Sequence, residues 1–273
     1  MPFFSRQTPM PHPYRRQQHY RRALPEVGIS ENGNIRSLHL GTPTVQSAMN
    51  LDNPPELVLS YSRAMMAWLL FAEQPPAHIT QIGLGGGSFA RWLAEYLPDT
   101  RQTAVDVNPQ VITVARAMFV LPPEGGTFEI IEADGAEYVK TLRGGTDVIL
   151  TDGFDGEQII DALVSDEYFA DCRRALSRHG IFVTNWWQGD KRYPQFCARL
   201  REAFDGRVLA LPAETHGNAA VLAFQTAPVL LTDTLKKRAD ALSAQYGLDF
   251  KCMLADLKAE NGCNGRSLRF QAA

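Results

Sequence analysis

From residue 79 to residue 225 short apolar runs alternate with stretches in which apolar residues recur every three or four positions. The runs predict strands at 79–84, 103–107, 128–132, 147–151, 180–185, 208–211 and 219–225, with helices between them at 89–96, 109–118, 136–142, 166–176 and 193–204. Two helix starts carry explicit punctuation: Asn108 as N-cap with Pro109 in the first helical position, and Ser165 as N-cap followed by Asp166 and Glu167. Strand–helix alternation of this kind predicts a doubly wound α/β fold whose mostly parallel, seven-stranded sheet is covered on both faces. The last two strands are joined only by the short 212–218 loop, so they must be antiparallel, because a parallel return needs a long crossover.

The pattern differs at both ends. Upstream, 27–30 and 35–40 flank Glu31-Asn32-Gly33-Asn34, whose Asn-Gly pair suits a tight hairpin turn, and 45–49 adds a further strand. Pro54-Pro55 then introduces a helix with Leu57, Tyr61, Ala64, Met65, Trp68 and Leu69 on one face. Downstream, 232–246 and 250–258 read as a helical tail. The expected division is a flexible basic leader over 1–24, a small β segment over 25–54, a large α/β domain over 55–230 and a C-terminal helical tail over 231–273.

Composition changes this picture in three places. At 273 residues and 45% hydrophobic the chain can bury a full core, and a net charge of -3 argues against a general nucleic-acid binder. The leader is the exception, with Arg6, Arg15, Arg16, Arg21 and Arg22 among prolines and glutamines. Residues 64–72 form the longest apolar run, too short to span a bilayer, and no apolar stretch follows the arginines as in a secretory signal, so no membrane partner is expected. Cys172, Cys197, Cys252 and Cys263 have neither CxxC nor zinc spacing and the histidines are scattered, which predicts a cytoplasmic protein without a metal.

The candidate chemistry sits at strand ends. Gly83-Leu84-Gly85-Gly86-Gly87-Ser88 closes the first strand of the alternating region, where glycines permit close backbone approach to a ligand. The loop lacks the third glycine of a GxGxxG dinucleotide fingerprint and fits a nucleoside without pyrophosphate better. Asp106, ending the next strand, is placed for a ribose diol, or for the dipole of the following helix. Asp134, with Gly135 after it, could accept from the exocyclic amine of an adenine while capping a helix. After the strand that ends at Thr151, Asp152, Asp155, Glu157 and Asp161 place four acids within ten positions and no base. Such a run is commonly a solvated loop. Here it sits where open α/β sheets hold ligands, and clustered carboxylates favour a cationic partner such as an amine or polyamine. Trp186-Trp187, near another strand end, could wall an amine pocket through cation–π contact or simply pack.

In this order, the glycine loop, Asp106, Asp134-Gly135 and Thr151-Asp152 with Asp155 resemble the spermidine synthase family of polyamine aminopropyltransferases over roughly residues 35–225. The resemblance implies a Rossmann-like fold of methyltransferase type and a decarboxylated S-adenosylmethionine donor over the loop of Gly83, Gly85, Gly86, Gly87 and Ser88. It implies ribose on Asp106, adenine on Asp134 and Gly135, Asp152 as base, and Asp155 on the far ammonium of an acceptor such as putrescine. Gln46 resembles a glutamine near the nucleoside, and Tyr61 a tyrosine lining the amine tunnel. The chain also departs from the pattern: Ser88 stands where the family has an aspartate for the donor amine, Ser62 replaces a histidine, and Glu214 takes the place of an amine-contacting tyrosine. Intact S-adenosylmethionine therefore stays open as donor. So do a methyltransferase of a small amine and a catalytically silent amine- or nucleoside-binding protein. A homodimer or homotetramer is expected from the resemblance alone.

Overall fold

The structure, a computed structural model, describes residues 24–154, 159–215 and 217–270. Apart from Leu24, the expected leader lies outside these residues. Strands β1 (Val27–Asn32), β2 (Ile35–Leu40) and β3 (Val45–Asn50) form an antiparallel sheet in that order. Gly33 supplies the positive φ of its first turn, at +60°. Leu38 and Met49 are fully buried and pack with Phe119, which fixes this small sheet against the body of the molecule.

The helix expected from Pro55 starts late. Helix α1 spans Ser60–Met65 and passes into a 3-10 turn over Met66–Leu70. The preceding carbonyls are engaged by side chains instead of by a helix: the Arg63 guanidinium takes Leu57 and Val58, and that of Arg91 takes Pro54. Leu57 is buried nonetheless, so its apolar character reports packing and not helical phase.

The large sheet contains β4 (His78–Ile82), β5 (Arg101–Asp106), β6 (Phe128–Glu132), β7 (Thr146–Thr151), β8 (Leu176–Trp187), β9 (Val208–Pro212) and β10 (Asn218–Phe224), in the order β6-β5-β4-β7-β8-β10-β9. Every pairing is parallel except those of β10, which is antiparallel to both β8 and β9. Helices α2 (Ser88–Tyr96), α3 (Pro109–Met118), α4 (Gly135–Thr141), α5 (Asp166–Ala175) and α6 (Tyr193–Ala203) follow their strands as the periodicity predicts. Strand β8 is longer than expected because the chain leaves Ala175 directly in extended form, and Leu176 already pairs with Thr146. Helices α7 (Thr232–Tyr246) and α8 (Phe250–Asn261) form the tail. The tail ends by closing a sheet edge: the Asn261 amide accepts from the Ala210 N–H and donates to the Ala210 carbonyl on edge strand β9.

One apolar layer joins α1, α7 and α8 to the sheet, and another joins α4, α5 and α6 to the opposite face. Connections from β4 lead to β5 and β6 on one side and to β7 and β8 on the other, so the strand order reverses between β4 and β7. A ligand crevice at the carboxyl ends of these two strands follows from that reversal.

Candidate active site

The end of β4 is laced to both neighbours. The Gly83 N–H donates to the Val105 carbonyl at 2.8 Å, and the Asp152 N–H donates to the Ile82 carbonyl at 2.8 Å. Gly83 has φ +94°, and a Cβ there would stand 2.2 Å from the Asp152 carbonyl oxygen, so only glycine lets the two strand ends meet. Gly85 and Ser88 also face the cleft. Gly86 and Gly87 are constrained from behind: a Cβ on Gly86 would run into Phe119, and Gly87 has φ +74°. Arg91 on α2 is buried and donates to the carbonyls of Gly86, Phe119 and Pro54, pinning the loop from behind. Burial pushes its guanidinium down to about 10.

Asp106 closes β5 and accepts from the Leu84 N–H at 2.9 Å and the Asn108 N–H at 2.9 Å, with Gly85 as a further backbone donor. Burial raises its pKa from the ordinary carboxylate value, against the lowering effect of these backbone bonds. Asp134 caps α4, accepting from the Glu137 N–H at 3.0 Å, and lines the cleft as well. Gly135 must be glycine for packing, because a Cβ would lie 2.3 Å from Ile82 Cγ2.

Asp152 follows β7. Its Oδ1 accepts from Asn185 Nδ2 at 3.0 Å, and the Tyr61 hydroxyl is a second hydrogen-bonding partner. Burial raises the Asp152 pKa, and these two bonds oppose the rise. The Tyr61 hydroxyl is pushed well above its usual value, first by burial and then by the neighbouring carboxylate. It donates to the Gln46 carbonyl at 2.9 Å, so its single proton stands between two acceptors. Gln46 and Tyr61 both line the cleft.

The structure thus brings together Gly83, Gly85, Ser88, Asp106, Asp134, Gly135, Asp152, Gln46 and Tyr61. Among the described lining residues the charged ones are Asp106, Asp134 and Asp152, and none is Lys, Arg or His. Asp155 lies outside the described residues. Glu214 departs from expectation: it pairs with Arg63 at 2.9 Å beside a separate small cavity shared with Asp249 and Asp256. Trp186 is buried against Phe169, Tyr193 and Phe196, whereas Trp187 is 49% exposed, and neither lines the cleft. Ser62 is buried and bonds the Leu59 carbonyl. Sequence reasoning passed over Asn185, Asn218 and Arg91. The available signals were a polar residue closing an apolar strand and a lone base within the apolar stretch Phe89 to Leu93.

A doubly wound sheet with a glycine loop at its reversal point and acids after three successive parallel strands defines the Rossmann-like α/β class of methyltransferase type. Within that class, the spermine/spermidine synthase domain matches residues 58–193. The polyamine aminopropyltransferase of Neisseria meningitidis serogroup A (strain Z2491) is 70% identical over 256 residues, covering 93% of this chain and 97% of the relative. That of Chromobacterium violaceum is 61% identical over 252 residues, covering 92% and 96%. A probable spermidine synthase from Corynebacterium glutamicum shares the fold with a TM-score of 0.68 at 18% identity, covering 90% of this chain and 93% of the other. The chain belongs to the spermine/spermidine synthase family.

Proposed function

We propose that the protein is a polyamine aminopropyltransferase that moves the aminopropyl group of decarboxylated S-adenosylmethionine to an amine such as putrescine and releases methylthioadenosine. The observation that carries this reading is the charge of the cleft: three carboxylates and, among the described lining residues, no cationic side chain. Sulfonium donor and ammonium acceptor are both cations, and a partly dry anionic cleft favours them over anionic ligands.

On this reading Gly83, Gly85 and Ser88 floor the donor site, Asp106 takes the ribose, and Asp134 with Gly135 takes the adenine. Gln46 stands near the nucleoside and Tyr61 beside the acceptor. Asp155 anchors the far ammonium. The acceptor nitrogen attacks the aminopropyl carbon bound to sulfur; the carbon–sulfur bond breaks, its electron pair returns to sulfur, and the sulfonium becomes a neutral thioether. A primary ammonium, with a pKa of roughly 10, has no free electron pair, so the acceptor attacks as the neutral amine, and Asp152 takes the proton that the nitrogen sheds as the new bond makes it cationic. Burial suits Asp152 to that task by raising its proton affinity.

The same reading divides the chain into a β segment over 25–54 that walls the cleft, a catalytic domain over 55–230 and a helical tail over 231–273. It places the enzyme in the cytoplasm as a homodimer or homotetramer, which light scattering on the purified protein resolves. The activity is tested by incubating the protein with each sulfonium donor and a panel of amines, then identifying the thioether by mass spectrometry. Methylthioadenosine from the decarboxylated donor is the expected product. S-adenosylhomocysteine from the intact donor would make the protein a methyltransferase, and no turnover with either would make it a binding protein.

A further inference from the structure

Asn185 and Asn218 meet across two strands. Asn185 on β8 pairs with Ala220, and Asn218 lies two residues before Ala220 on β10, so the sheet's two-residue period puts both amides on one face as diagonal neighbours. Asn218 Nδ2 donates to Asn185 Oδ1 at 3.0 Å, and Asn185 Nδ2 donates to Asp152 Oδ1 at 3.0 Å. Asn185 is 3% exposed. Its amide is therefore held between a carboxylate and a second amide.

We propose that Asn218 is a positioning residue for Asp152: by donating to Asn185 Oδ1 it keeps the Asn185 amide turned with its N–H toward the carboxylate, and so holds Asp152 as a proton acceptor. This rests on the reading of Asp152 as the base.

An amide has a donor end and an acceptor end of nearly the same shape. Turned over, Asn185 would aim Oδ1 at Asp152, and two acceptors can face each other there only if Asp152 carries a proton. The orientation of one amide is thus coupled to the protonation of the base. Tyr61 cannot supply the missing bond unaided, because its one proton is also claimed by the Gln46 carbonyl. Tyr61 is the titratable group facing Asp152 from α1, β8 and β10 contribute the two amides, and Asp106 and Asp134 line the same cleft from the end of β5 and the start of α4. The burial that raises the Asp152 pKa is opposed on the sheet side only by Asn185.

The test is a carboxyl 13C titration of ligand-free protein, with the Asp152 signal identified by its loss in Asp152→Asn. Asn218→Ala is expected to raise the Asp152 midpoint by about one pH unit, roughly tenfold in proton affinity. Asn185→Ala should raise it at least as far, and the double variant no further than Asn185→Ala, because Asn218 acts only through that amide. Asn218→Asp, isosteric and acceptor-only, serves if the alanine variant does not fold. It should raise the midpoint more than alanine does, and lose most of that effect once Asn185 is alanine. An unchanged midpoint in both Asn218 variants, or shifts of equal size with and without Asn185, would overturn the proposal. Because no substrate is present, a midpoint that moves as expected while the rate does not respond would support the relay and count against Asp152 as the base.

Discussion

The two sides of the cleft hold their carboxylates by different means. On the side proposed for the nucleoside Asp106 is bonded by backbone N–H groups of Leu84, Asn108 and Gly85, and Asp134 by the first turn of α4. On the side proposed for the acceptor Asp152 is bonded by side chains, Asn185 and Tyr61. Backbone donors are fixed by the fold and stay with the anion. Side-chain donors can rotate, share a proton or be replaced. A carboxylate that only binds benefits from the first arrangement, and one that must gain and lose a proton benefits from the second. Changes on the acceptor side should therefore appear in kcat and its pH dependence, and changes on the nucleoside side in the KM of the donor.

The largest expected effect is that of Asp152→Asn, a loss of about 10²–10⁴-fold in kcat with little change in donor KM, measured by steady-state kinetics. Its stability should move the other way. The folded-state pKa of Asp152 lies above the ordinary carboxylate value, so its contribution is fully present below that value and lost as pH rises through the elevated one. Asp152→Asn removes this loss. The variant should melt higher than the parent at pH 8, with the gap closing toward pH 4, as read by calorimetry. With Asp152 intact the single-turnover rate should climb toward alkaline pH, and a flat profile from about pH 7 to 9.5 would break the comparison on this side.

Next in size, Asp106→Asn should raise donor KM by about ten- to a hundredfold, the worth of a charge-assisted bond of roughly 1.5–3 kcal/mol, with a smaller change in kcat. An equal fall in kcat at unchanged KM would erase the distinction between the two sides. Asp134→Ala should cost about 1 kcal/mol of stability through the lost cap, seen in urea titration, together with a moderate rise in donor KM. Glu214→Gln should do least. Its ion pair with Arg63 leaves the carboxylate side chain 58% exposed, and such pairs are worth at most about 1 kcal/mol. A large rise in acceptor KM would return Glu214 to the amine site.

Legibility in the sequence followed the same division. Elements governed by local periodicity and caps were readable: β6, α3 and α7 start and end where the pattern places them. The strand-end acids were readable because a parallel sheet always presents its ligands there. What stayed hidden depended on partners far along the chain. The late start of α1 follows from Arg63 and Arg91 holding carbonyls of the preceding segment. The pairing of Glu214 with Arg63 joins residues 151 positions apart. The Asn218–Asn185–Asp152 chain crosses β10, β8 and the end of β7, and its residues look locally like ordinary strand ends. The packing demand on Gly86 was hidden as well, because a Cβ there would meet Phe119, a residue far along the chain.

The most direct measurement is a crystal structure of the protein with methylthioadenosine and a diamine bound together. Ribose hydroxyls should lie on Asp106 and an acceptor nitrogen within about 3 Å of the Asp152 carboxylate, on the side facing the thioether sulfur. A diamine held elsewhere, with Asp152 still bonded only to Asn185 and Tyr61 and remote from the sulfur, would contradict that arrangement.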